Sequence, residues 1–355
     1  MKLITVTDVA KLIKLHGFDN FIYDLMTYLK SDFSRWHEFD KSPRHATHVD
    51  GGVIELMPVS DKQYYTFKYV NGHPKNPFNN KQTVVATGQL SRVTDGYPLM
   101  FSEMTVLTAL RTAATSAIAT DYLARDKAQI LALIGTGAQS EFQVLAHQLV
   151  RDIKQVRYFD VDSLAMRKFA DNMANYAHDI DFVACADAKD AVTDADIIIL
   201  CTACKGHVEV VKDAWLKPGV HINGLGGDCP GKTELEKAIL LRSKTVVEYL
   251  PQSLIEGEIQ LLSHDEATSL VHAELWQLIT GAKVGRVTAD EISVFDSVGF
   301  ALEDFSVLRL VYELTNRYDI GRKLDFIPQL TDPKNLVSVL DDISMMGSQW
   351  IAKLA

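Results

Sequence analysis

Hydrophobic positions change their period twice along this chain. Between Asp19 and Leu29 the apolar residues Phe21, Ile22, Leu25, Met26 and Leu29 share one helical face. The period then shortens, and the runs Gly52–Met57, Tyr64–Val70, Thr83–Ser91 and Pro98–Phe101 read as strands of an antiparallel meander. Asp95-Gly96 between the last two is a hairpin turn signal. The stretch from Asn71 to Asn80 holds two prolines and no periodicity, and reads as a surface excursion. Met104 to Ala124, rich in Ala, Leu and Thr, predicts one long helix.

From Gln129 the pattern becomes one of short, unbroken apolar runs. They lie at Ile130–Gly135, Val156–Asp160, Phe182–Cys185, Asp196–Cys201, His221–Leu225 and Thr245–Tyr249, with a seventh at Ile292–Val298. Segments such as Ser140–Arg151 and Leu164–Ala177 connect them. Non-alternating strands separated by helices predict a parallel sheet covered on both faces. An amphipathic helix follows from about Glu303 to Asn316. The expected fold is α/β: a doubly wound, Rossmann-type parallel-sheet domain over 126–299. A smaller antiparallel α+β domain is expected from 1–125 and 300–355, with the C-terminal tail returning to it.

Composition narrows the function. Hydrophobic residues at 47% and charged residues at 23% exclude a largely disordered chain. The formal charge of 36 − 46 = −10 argues against nucleic acid as partner, because phosphate binders carry a basic surplus. No apolar stretch approaches the ~18 residues needed to span a bilayer. Met1 to Asp8 lacks the uninterrupted apolar run of a secretory signal. The four cysteines, Cys185, Cys201, Cys204 and Cys229, stand in mid-chain, where a protein of 355 residues needs no disulfide staples. A soluble, cytoplasmic protein is expected.

Three segments carry candidate chemistry. In Ile130-Leu-Ala-Leu-Ile-Gly135-Thr-Gly137-Ala-Gln-Ser140 a strand enters a glycine turn and then a helix. Gly135 permits the tight turn and Gly137 lets backbone approach a pyrophosphate at the helix N-terminus. Asp160, 25 residues after Gly135, ends the next strand at the spacing of a carboxylate that accepts from a ribose 2′-hydroxyl. It repels a 2′-phosphate, which favours NAD over NADP. Cys201-Thr202-Ala-Cys204 matches a C-x-x-C pattern with His207 near, but lacks a fourth ligand; packing beside the cofactor is the stronger reading, and no metal is expected. The third segment, His221-Ile-Asn-Gly-Leu-Gly-Gly-Asp228-Cys-Pro-Gly-Lys232-Thr-Glu-Leu235, is a bare glycine loop with an acid at its centre. Asp228 either satisfies turn amides or is aimed at the nicotinamide end to bind or deprotonate an amine. Lys232 reads as lying at a helix start, where a cation opposes the dipole unless it answers a nearby negative charge.

This last segment resembles the signature of the ornithine cyclodeaminase/mu-crystallin family, and most of all its bacterial ornithine cyclodeaminases. Further matches follow in order: Ser42-Pro-Arg44, Glu55-Leu-Met57-Pro, Phe67-Lys68-Tyr-Val-Asn-Gly-His, Val84-Val-Ala-Thr-Gly-Gln, Leu110-Arg111-Thr-Ala-Ala-Thr, Gly135-Thr-Gly-Ala-Gln, and Phe295-Asp-Ser297-Val298-Gly-Phe-Ala-Leu-Glu-Asp. The resemblance implies that Arg44, Lys68 and Arg111 face the substrate carboxylate, with Met57 and Val298 along its aliphatic part. It assigns the chemistry to Asp228, Glu55 and Lys68. It places Thr83, Arg111, Gly135, Gly137, Ala138, Gln139, Asp160, Thr202, Leu225, Lys232 and Ser297 against NAD. It also implies a homodimer assembled through the smaller domain.

The activity so implied is conversion of L-ornithine to L-proline and ammonia with NAD recycled. An NAD-dependent amino-acid dehydrogenase or ketimine reductase acting on alanine, arginine or lysine is the main alternative on the same scaffold. A non-catalytic, crystallin-like nucleotide binder is a further one, disfavoured by the intact Asp228, Lys68 and Arg111.

Overall fold

The computed structural model describes residues 1–203 and 206–340. Two eight-stranded sheets organise them. The first runs in space Arg322–Lys323, Lys2–Ile4, Pro98–Glu103, Val84–Arg92, Tyr64–Gly72, Gly52–Ser60, Asp40–Lys41, with His45–Val49 also paired to Gly52–Ser60. The meander is antiparallel as its alternation predicts. Lys2–Ile4 departs from that pattern by pairing parallel to Pro98–Glu103; at three residues it is too short to display a period. The chain returns to this sheet after the last helix, where Arg322–Lys323 pairs with Lys2 and Leu3. The final residues of the expected tail, 341–355, lie outside the described ones.

Every pairing in the second sheet is parallel. Its order is Asp181–Ala184, Gln155–Phe159, Ile130–Ile134, Ile197–Leu200, His221–Gly224, Ser293–Asp296, Lys244–Val247, Val271–Glu274. The last of these is absent from the sequence reading, because Val-His-Ala-Glu is neither apolar throughout nor long enough to alternate. The chain leaves Ile130–Ile134 toward one edge and resumes at Ile197–Leu200 on its other side, so a topological switch point opens at their carboxyl ends.

The two sheets meet on one helix. Thr105–Leu123 starts where the Glu103 carboxylate accepts from the amides of Thr105, Val106 and Leu107. It is buried on every side from Leu107 to Thr120, touching Val84–Arg92 of one sheet and His221–Gly224 and Ser293–Asp296 of the other. Most of its hydroxyls bond inside the protein: Thr112 and Thr115 donate to carbonyls four residues back, and Ser116 donates to Gln143 at 2.6 Å. Thr120 bonds His147 and accepts from Asn223, each at 2.9 Å. The helix is welded to both halves by polar as well as apolar contact.

A second helix, Ala301–Arg317, packs on Phe18–Ser34 and on the first sheet. Fully buried Asp32 ties the two helices, accepting from Ser306 at 2.9 Å and pairing with Arg35 at 2.7 Å and with Arg309. Removing one partner of such a cluster strands the rest. Asp32→Ala should therefore cost about 3–5 kcal/mol in urea unfolding; a loss below about 1 kcal/mol would show that Arg309 and Ser306 find other partners.

Candidate active site

At the switch point, Gly135 turns with φ +94°, and a Cβ there would meet the Cys201 backbone at 2.8 Å. Glycine is required on both counts. Gly137 and Ala138 stand exposed, and a Cβ on Gly137 would meet nothing within 4 Å. The turn is braced from outside, the Gly137 carbonyl accepting from Ser140 at 2.7 Å and from Lys168 at 3.0 Å. Thr136 donates its amide and hydroxyl to Asp160 at 2.6 and 3.1 Å. Gln139 keeps a buried side-chain oxygen without a partner among the described residues. An open cradle at the start of Ser140–His147, an acid at the end of the adjacent strand and an unmatched polar atom suit a dinucleotide.

The glycine loop crosses the carboxyl edge of the same sheet. Leu225 continues the sheet by donating to Leu200 at 2.9 Å. The helix expected directly after Lys232 is not there: Thr233–Leu235 forms a strand paired with His207–Val211, and the helix begins at Lys237. Lys232 does answer negative charge, donating to Asp228 at 3.1 Å and to the Thr202 carbonyl at 3.0 Å. Burial pulls its ammonium down, yet Asp228 and Glu234 hold it above the ordinary lysine value. The bareness of the loop has a steric cause. A Cβ on Gly226 would fall 1.7 Å from the Glu234 carboxylate, and one on Gly227 3.0 Å from Gly257. Asp228 itself is half exposed at the rim.

Opposite this loop lies a row of buried cations. Lys68 faces Met57 across the strands and donates to Asp304 at 2.9 Å. Arg111 pairs with Glu303 at 2.5 Å and with Asp304 at 3.1 Å, while among the described residues nothing bonds its Nη2. Burial and the Arg111 charge push the Lys68 ammonium down to about 8. Arg44 reaches Glu55 at 3.0 Å and Glu256 at 3.2 Å, and donates to the carbonyls of Val298 and Gly299. Beneath that turn Glu248 accepts from the Ser297 hydroxyl and the amides of Val298 and Gly299. Gly299, with φ +77°, leaves room for Arg111, whose Nη1 would lie 2.5 Å from a Cβ.

Contacts thus link Arg44, Glu55, Lys68, Met57, Arg111, Ser297 and Val298 into one cluster, and Thr202, Lys232 and Asp228 into a second. Gly135, Gly137, Ala138, Gln139 and Asp160 form a third, beside Leu225. Thr83 is not joined to them: its described bond is a carbonyl accepting from His73, within the first sheet. Cys201 donates to the Gly135 carbonyl, and burial raises its thiol, which leaves it inert; Cys204 lies outside the described residues. Among the described residues no group of three His, Cys, Asp or Glu is arranged for a metal, and no helix is long and apolar enough to cross a membrane. The sequence reading missed the acids below the loops: Glu234, Glu248, Glu256, Glu258, Asp296, Glu303 and Asp304 are all buried. Their signal was present in the glycines, which make space for carboxylates as well as for ligands.

A doubly wound sheet with this cradle, joined to a cation-lined site at its carboxyl edge, defines a dinucleotide-dependent enzyme of amino-acid chemistry. The chain belongs to the ornithine cyclodeaminase/mu-crystallin family, which it matches over residues 6–318. It is 49% identical over 337 residues to the ornithine cyclodeaminase of Agrobacterium fabrum, covering 95% of this chain and 94% of that one. A solved lysine cyclodeaminase superposes with a TM-score of 0.88 at 29% identity, covering 95% of this chain and 98% of the other. An archaeal alanine dehydrogenase dimer with bound NAD gives 0.84 at 32% identity, covering 92% and 99%.

The buried acids predict a pH dependence of stability. Burial pushes Glu258 up to about 8 and Asp296 up to about 7, each from the ordinary carboxylate range. Between those values and about 4.5 the folded chain keeps protons that the unfolded chain has lost, so stability falls as pH rises through this window. The melting temperature of Glu258→Gln should decline less steeply than that of the parent from pH 5 to 8. Parallel declines would show that Glu258 is ionised throughout.

Proposed function

We propose that this protein converts L-ornithine to L-proline and ammonia with bound NAD. The observation that carries this reading is the pairing of two chemistries at one sheet edge: cations for a carboxylate, and an excess of acids for two amines. Lys68 and the open Nη2 of Arg111, held in place by the acids that already seat them, Asp304 and Glu303, receive the substrate carboxylate. Met57 and Val298 border the methylenes. Glu55, Glu256 and Asp228 surround the ammonium groups; all three lie close enough to Arg44 or to one another to interact. The chemistry that bound NAD would supply is reversible hydride acceptance, so that it would be recycled within each turnover. Arg111, Gly135, Gly137, Ala138, Gln139, Asp160, Thr202, Leu225, Lys232 and Ser297 line its place; Thr83, which the family resemblance also gives to NAD, stands apart from them beside His73.

Within the chain, Asp228 acts as acid and base. It takes a proton from the reacting amine, and its exposure at the rim lets it exchange protons with water. Glu55 anchors the second amine against Arg44 until it attacks the α-carbon and ammonia leaves. The division at 125/126 and 299/300 then separates a substrate domain from an NAD domain. The protein works as a homodimer: the outward face of the first sheet exposes Leu56, Tyr65, Tyr69 and Val85, with Leu56 and Tyr69 directly paired. It is a cytoplasmic lyase of ornithine degradation and proline formation.

With NAD far below ornithine, proline and ammonia should appear in equal amounts exceeding the NAD supplied, with no net NADH. NADH rising in step with substrate loss would make the protein an amino-acid dehydrogenase instead. Asp228→Asn should lower kcat/KM by about 10²–10⁴-fold while NADH still binds. Proline formation at the parent rate would remove Asp228 from the chemistry.

A further inference from the structure

Glu234 has no part in the reaction just described, yet its carboxylate lies at the centre of the loop that carries Asp228. It is buried, on the short strand Thr233–Leu235. Oε1 accepts from the Thr202 hydroxyl, and Oε2 is buried with no hydrogen-bond partner among the described residues. Lys232, which bonds Asp228 on one side and the Thr202 carbonyl on the other, adds the charge nearest to it. The Gly226 backbone passes directly over the carboxylate, where any other residue would displace it. An acid built into so tight a space, with one oxygen unmatched, is costly unless it serves the groups around it.

We infer that Glu234 is a positioning residue: through the Thr202 hydroxyl and the Lys232 ammonium it governs how firmly Lys232 holds Asp228. Lys232 bonds Asp228 and the Thr202 carbonyl, and Glu234 bonds the hydroxyl of that same Thr202. A charged Glu234 attracts the ammonium through space and loosens its hold on Asp228; a neutral one leaves that hold intact. Burial pushes the Glu234 carboxyl up to about 7, so this hold changes within the working range of the enzyme. The other groups facing Glu234 are Glu258, whose carboxylate accepts from the Glu234 amide at 3.0 Å, and the Cys201 thiol. His207, on the paired strand, bonds the neighbouring Thr233 at 2.9 Å.

The inference rests on the cofactor and ornithine reading above, and its test separates the two. Glu234→Gln keeps the size and an acceptor for Thr202 but removes the charge; Glu234→Asp keeps the charge. With both variants checked by melting temperature, kcat/KM for ornithine is followed from pH 5.5 to 9. In the parent kcat/KM should fall as Glu234 takes up its proton near pH 7, and in Glu234→Gln, which has no such proton to gain, the acid limb should move down by about one pH unit or more. Glu234→Asp should bring it back to within about 0.3 unit of the parent. NAD and NADH binding is measured over the same range by fluorescence. In the parent the preference for the cationic oxidised form should grow severalfold from pH 6 to 8, and in Glu234→Gln that growth should at least halve. An unmoved acid limb, or a rate lost in proportion to melting temperature with the limb in place, overturns the inference. Should the parent form no proline from ornithine, the binding arm decides alone: identical pH dependence in parent and variant overturns it, and the flattened one upholds it.

Discussion

Lys68 and Arg111 converge on one turn of helix, and the site exists only while that turn stays put. Neither cation can be kept out of water unpaired. Their counter-charges, Glu303 and Asp304, are consecutive residues at the start of Ala301–Arg317. Glu303 has a second duty, accepting from the Phe300 amide and so capping the helix it stands on. The same short segment therefore starts a helix, seats Arg111 and, through Asp304, seats Lys68. Those two cations come from different elements, a strand of the first sheet and the helix shared by both sheets. One ion cluster thus ties a strand of the first sheet to the helix on which both sheets meet.

The middle of that helix is anchored by Asp32 through Ser306 and Arg309, and its near end leads back through Gly299 to the second sheet. Arg44 closes the circuit, bonding the Val298 and Gly299 carbonyls while its remaining nitrogens face Glu55 and Glu256. Most of its fork is therefore already engaged with protein. Physically this makes Arg44 a clamp on the turn and on the acids, and leaves direct recognition of a carboxylate chiefly to Lys68 and Arg111. Its large buried charge still favours an anion in the space between them.

Much of this was legible in the sequence, and the omissions have physical reasons. The parallel strands announced themselves by unbroken apolar runs, as Ile130–Ile134 and Ile197–Leu200 illustrate, because burial on two faces leaves no polar alternation. Val271–Glu274 did not, since an edge strand keeps one side in solvent. The glycine loop was conspicuous, but its geometry was misread after Lys232, where a charged Thr-Glu-Leu looks like a helix start until Glu234 is seen turned inward beneath Gly226. Buried acids are the hardest feature to read this way. Glu256 and Glu258 look like surface residues in sequence, and only the amides, arginines and glycines brought to them in three dimensions reveal their burial.

That surplus of acids bears on which substrates the site rejects. In the ornithine reading, Glu55, Glu256 and Asp228 outnumber Arg44 and Lys232, and burial, helped by the neighbouring acids, raises Glu256 to about 7 despite Arg44. A substrate with a second ammonium supplies what is missing. A neutral side chain such as that of alanine would leave desolvated carboxylates unmatched, a penalty larger than the loss of any apolar contact. Discrimination against monoamino acids is then electrostatic and steep. Discrimination between ornithine and lysine rests on a single methylene beside Met57 and Val298, worth only ~1–3 kcal/mol. The wall of acids makes the site selective for diamino acids as a class, and the fit along the aliphatic chain is left to choose among them.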